Sequence, residues 1–112
     1  MPFWDIAELK LPSAKLVSGR IARRGLAQAV HSGMAQLKRY REYFMDTRLA
    51  ELFHRTNGME VYHPRLTLVI GRDESFGSHR ERQRLAPPEA RLLTYDDILR
   101  MARHRSLILP FV

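Results

Sequence analysis

The stretch Leu66-Thr67-Leu68-Val69-Ile70, set between Pro64 and Gly71, most narrows what this chain can become. Successive side chains of a strand point to opposite faces, so this run presents apolar groups on both. A strand of that kind needs cover on each side, which is the condition of a central strand in a layered α/β fold. The rest of the chain is read for what pairs with it and what covers it.

Leu26, Val30, Met34, Leu37 and Phe44, with Tyr40 or Arg41 between, recur at helical spacing and predict a long helix from Leu26 to about Met45. Gly33 inside it lowers helix propensity by up to ~1 kcal/mol relative to alanine, so its place is read as a close approach to a strand. Asp46 and Thr47 offer caps for a second helix, about Arg48 to Arg55, and Asn57-Gly58 ends it with residues that tolerate the left-handed region. After the central run, Ser75 to Leu85 reads as a loop and a short charged helix (His79 to Leu85), closed by Pro87-Pro88. Arg91 to Thr94 is a brief strand. Thr94 then caps a last helix, with Asp97 where a capping box wants its acceptor. Ile98, Leu99, Met101 and Ala102 are expected to be that helix's buried stripe, with Arg100, Arg103 and Arg105 its basic side. The order β, α, α, β, α, β, α predicts an α/β domain with parallel pairing, and residues 1–112 read as a single domain.

A net charge of +7 over 112 residues favours acidic partners, nucleic acid first and anionic membrane second. The chain has no cysteine, which excludes disulfides and thiolate metal sites and suits a reducing cytoplasm. No apolar run approaches the roughly 20 residues of a membrane span, so no span is expected, and nucleic acid rather than membrane is the expected partner. The chain opens almost inside a strand and closes on the apolar Leu107 to Val112, so both ends read as cut from something longer or as docking on a neighbour.

The chemical proposal lies in Phe3 to Pro12, a predicted strand reading F-W-D-I-A-E-L-K-L-P. Alternation puts Trp4, Ile6, Glu8 and Lys10 on one face and Asp5, Ala7 and Leu9 on the other. A carboxylate beside an ammonium suits phosphodiester chemistry. The carboxylate and the Leu9 carbonyl are oxygen donors for Mg²⁺, and the ammonium can neutralise charge growing on a phosphate. The same pair is equally an exposed ion pair worth ~0–1 kcal/mol. Gln36 and Tyr40, one turn apart on the long helix, share a face that can lie above this strand end.

The E-L-K strand followed by a helix carrying Q-L-K-R-Y resembles the PD-(D/E)xK nuclease superfamily. The succession E-L-K-L-P, A-V-H-S-G-M-A-Q-L-K-R-Y-R-E-Y-F, P-R-L-T-L-V-I-G-R and L-L-T-Y-D-D-I-L looks like the Shedu family of bacterial antiphage defence nucleases, over about Asp5 to Ala102. The resemblance implies a restriction-endonuclease-like fold and cleavage of DNA with Mg²⁺ or Mn²⁺. It also implies catalytic roles for Glu8, Lys10, Gln36 and Tyr40, and a homo-oligomer. The superfamily's first acidic ligand lies on a strand before the E-x-K strand. Asp5 is the only acid nearby, and as a second metal ligand it would need a bulge to turn it toward Glu8. An upstream strand, a second subunit or a degenerate site are the ways to account for that departure.

Arg20, Arg23 and Arg24 lie in the predicted loop from Ser13 to Gly25. They are read either as a solvated surface or as a phosphate-contacting edge, and Arg72, just past the central strand, is a further phosphate candidate. His31 is expected to pack or cap, and the other histidines lack metal-ligand spacing. Trp4, Tyr43 and Phe44 are read as core. Asp96 and Asp97 are read as helix-start charges.

Overall fold

The computed structural model describes residues 3–20 and 23–108, with side chains up to His104. Three parallel strands make the main sheet: β1 (Ile6–Leu9), β4 (Leu66–Val69) and β5 (Arg91–Leu93), in the order β1-β4-β5. Ile6 lies opposite Leu66 and Leu9 opposite Val69, while Leu68 faces Leu92. The two-faced run Leu66 to Val69 is therefore the central strand. Its Leu66, Leu68 and Val69 are buried and Thr67 is half-buried, as cover on both faces requires. A second ladder joins β2 (Val17–Ser18) to β3 (Gly25–Leu26), antiparallel, inside the segment expected to be loop. Two residues per strand leave no alternation to read.

Helix α1 (Gln28–Met45) lies across β1 and β4. It starts two residues later than expected, because Gly25 and Leu26 belong to β3 and the Ala27 N–H donates to the Leu16 carbonyl at 2.8 Å. Val30, Met34 and Leu37 meet Leu66, Leu68, Ile70, Leu16 and Phe76 in one core, each large side chain contributing roughly 1.5–3 kcal/mol by leaving water. Gly33 is the point of closest approach: a methyl there would lie 2.8 Å from Leu68 Cδ1.

Helix α2 (Thr47–Asn57) begins where the sequence places its cap, with an Asp46 oxygen accepting from the Arg48 and Leu49 N–H groups at 3.0 and 3.2 Å. Gly58, at φ 71°, ends it. Helix α3 (His79–Leu85) and helix α4 (Tyr95–Ile108) follow. The capping box at α4 is reciprocal: Asp97 N–H donates to Thr94 Oγ1 at 3.2 Å and Thr94 N–H to Asp97 Oδ2 at 2.9 Å.

Three packing expectations are corrected. The α4 stripe is not buried: Leu99 and Met101 are both 50% exposed, and Ile98 and Ala102 are exposed too, because these positions turn away from β5. Trp4 and Tyr43 are exposed rather than core, and Phe44 is half-buried, edge-on to Phe53. His31 is exposed on α1. The terminal residues 109–112, and with them the expected contact of the apolar tail, lie outside the described residues. No described helix is long and apolar enough to cross a membrane.

Candidate active site

The alternation of β1 is kept. Ile6, Glu8 and Lys10 are half-buried toward α1, whereas Ala7 and Leu9 are exposed on the far face. Helix α1 then brings Gln36 over the strand end. Lys10 Nζ donates to Gln36 Oε1 at 2.9 Å and stands 3.5 Å from Glu8 Oε1. Gln36 Nε2 in turn donates to the Tyr40 hydroxyl at 2.8 Å. Two helix positions one turn apart and two strand positions on one face thus form a continuous chain, Glu8–Lys10–Gln36–Tyr40. The lysine, which can only donate, holds the amide with its oxygen on the ammonium, and the amide nitrogen then donates to the tyrosine hydroxyl.

An ammonium has three donors. One bonds Gln36 and the Glu8 carboxylate stands 3.5 Å away as an ion-pair partner, while the Lys10 side chain remains 35% exposed against 19% for Glu8, so a further donor can reach an incoming acceptor. The backbone here is pinned. Lys10 N–H donates to the Val69 carbonyl at 2.9 Å, Gly71 N–H to the Leu11 carbonyl at 3.1 Å, and the Tyr95 hydroxyl to the Lys10 carbonyl. Gly71 is required in this corner. Its φ is 68°, and a side chain would begin 2.7 Å from Leu16 Cδ2. Tyr95 is the positioning residue that sequence reasoning missed. Its only signal was a tyrosine directly after a helix cap.

Asp5 does not join this group. Its carboxylate accepts the Arg65 N–H at 2.8 Å, so as a second metal ligand beside Glu8 it is a correction. Among the described residues, no three His, Asp or Glu side chains come together in a way that could hold a metal ion. The donor set at Glu8 is one carboxylate. That suits a Mg²⁺ ion shared with a substrate phosphate and retaining waters, and does not suit a resident ion caged by protein.

Of the four arginines expected to meet phosphate, two have other partners. Arg24 makes a two-pronged pair with Glu81, its Nε and Nη2 each 2.7 Å from a carboxylate oxygen. That fork, with the Gly77 N–H, pulls the Glu81 carboxyl down to about 2. Arg72 forks onto Asp96 at 2.9–3.1 Å, and Asp73 N–H adds a third bond, holding the Asp96 carboxyl below its ordinary range. Arg24 and Arg72 are thus already matched by carboxylates, which corrects their reading as open phosphate contacts. Arg20 and Arg23 are exposed, with no acidic partner among the described residues.

Beside Arg72 lies a second polar cluster. Arg82 reaches Asp73, Asp97 and the Leu92 carbonyl, Arg100 reaches Asp73 and Asp97, and the Thr94 hydroxyl donates to Asp73. Burial alone would raise the Asp97 carboxyl, but Arg82, the Thr94 N–H and Arg100 outweigh it and hold it well below the usual range. Asp96 and Asp97 are therefore structural helix-start charges here. Compared with known proteins, the chain matches no protein-family profile and no curated protein.

Proposed function

We propose that this domain is a restriction-endonuclease-like nuclease that cleaves DNA phosphodiester bonds, similar to the Shedu-type antiphage proteins its motifs resemble. The observation behind the reading is the bond from Lys10 to Gln36. It joins the two short motifs, each of which occurs by chance, into one group of four side chains. Lys10 meets the negative charge that grows on the scissile phosphate, and its position is set by Glu8 and Gln36. Gln36 orients the ammonium through its amide oxygen, and Tyr40 accepts from the amide nitrogen. Glu8 would be the protein's ligand for a divalent ion, whose chemistry when bound is to polarise a phosphoryl oxygen.

A second reading, a nuclease-fold domain that binds nucleic acid without cleaving it, is favoured by the lone carboxylate of the donor set. Supercoiled plasmid with Mg²⁺ or Mn²⁺ separates the two. Nicking is expected, and Lys10→Ala or Glu8→Ala should lower it by at least about 100-fold. Nicking that survives both substitutions would remove this assignment. Salt-sensitive DNA affinity without nicking would select the second reading. No DNA affinity at low salt would point to an acidic protein as partner.

A further inference from the structure

The hairpin and α3 are far apart in sequence but are joined in space by Arg24 and Glu81. Helix α3 reads H-R-E-R-Q-R-L, and its three arginines divide. Arg82 turns inward to Asp73 and Asp97, whereas Arg80 and Arg84 are exposed with no acidic partner among the described residues. At about 100° per residue, Arg80, Arg84 and Glu81 fall within one third of the helix circumference. Glu81 is the residue that Arg24 grips, 57 positions away in sequence, with the Gly77 N–H as a third donor at 2.9 Å. The hairpin therefore lands beside Arg80 and Arg84, and it brings Arg20 and Arg23 with it.

We infer that the β2–β3 hairpin and α3 form one phosphate-binding surface, with the Arg24–Glu81 pair as its clasp rather than as a contact. Four exposed arginines, Arg20 and Arg23 on one segment and Arg80 and Arg84 on the other, then flank the single contact between Arg24 and Glu81. Planar forks of this kind suit the phosphates of a nucleic-acid backbone. A membrane is the poorer partner, because Leu85 is the only apolar residue of α3, and a helix lying on a lipid surface needs an apolar face. The inference rests on the nucleic-acid reading above, but not on cleavage.

The test is the affinity of the whole chain for a fluorescein-labelled DNA duplex in EDTA, followed by anisotropy from about 50 to 200 mM salt. Each phosphate contact contributes about 0.9 to the slope of log affinity on log salt, so Arg80→Gln/Arg84→Gln should lower that slope by about 2. Arg48→Gln/Arg55→Gln on α2 removes the same charge elsewhere and should leave the slope in place. Arg24→Glu should weaken binding, and Arg24→Glu/Glu81→Arg should restore it by re-forming the clasp with opposite polarity. Equal losses for the α3 and α2 pairs, no loss for the α3 pair, or a charge swap that fails to restore binding in a normally folded protein would each overturn the surface. Failure of plasmid nicking with these slopes intact would overturn the nuclease reading alone.

Discussion

Two polar groups lie at the ends of the sheet strands, and they are built on opposite rules. Around Asp73, Arg82, Thr94, Asp97 and Arg100, carboxylates and cations are matched several times over. Around Glu8, Lys10, Gln36 and Tyr40, each group has one or two partners, and the chain runs from the Glu8 carboxylate through a partly exposed ammonium to Tyr40, an exposed residue. Saturation fixes structure, because every donor removed leaves a desolvated acceptor behind. An open-ended chain fixes direction while leaving capacity to bind. Charge density alone would rank the saturated cluster first, whereas spare bonding capacity ranks the Glu8 group first.

Acid should have the largest effect, acting on the saturated cluster through Asp97 and on the two arginine forks through Asp96 and Glu81. The Asp97 and Asp96 carboxyls are held low, and Glu81 at about 2 against an ordinary 4.5. A depressed carboxyl contributes stability above its unfolded value and loses it as pH falls through the folded one. The melting temperature should therefore be flat above about pH 5 and fall steeply toward pH 2. A flat profile down to pH 2 would break the contrast.

Asp97→Ala comes next. It strands Arg82 and removes the acceptor of Thr94 N–H, at an expected cost of about 2–3 kcal/mol, read by urea melts. Gly33→Ala should cost about 1 kcal/mol, as overpacking against Leu68 outweighs the gain in helix propensity. It should reduce nicking more than stability, because α1 carries Gln36. The smallest effect is expected for Glu8→Gln, within about 0.5 kcal/mol of wild type in the same melts. A loss as large as that of Asp97→Ala would make the Glu8 chain a structural cluster as well.

Much of the scaffold was legible because its signals are local. The cap at Asp46, the stop at Gly58, the Thr94–Asp97 box and the two-faced run from Leu66 each depend on residues within a few positions. The pairing of Lys10 with Gln36 was legible through two periodicities, one of the strand and one of the helix. What stayed hidden was long-range. An arginine in a loop reads the same whether free or gripped, and the partners of Arg24 and Arg72 lie 57 and 24 residues away. The α4 stripe failed for a related reason: helical spacing shows that one face is apolar, but not that anything covers it.

Strand β1 is bonded on one flank only, with the Ile6 and Lys10 amides donating to β4 while the outer flank has no partner among the described residues. Local opening of such a strand breaks fewer bonds than global unfolding does, so its amides belong to the fast-exchanging end of the protein's range. Glu8 therefore rides on an edge element that can open while the core around Leu68 stays shut, although Lys10 at its end is tied to Val69 and Tyr95. Anything that adds a strand to that flank would slow the exchange and, with it, stiffen the reach of Lys10.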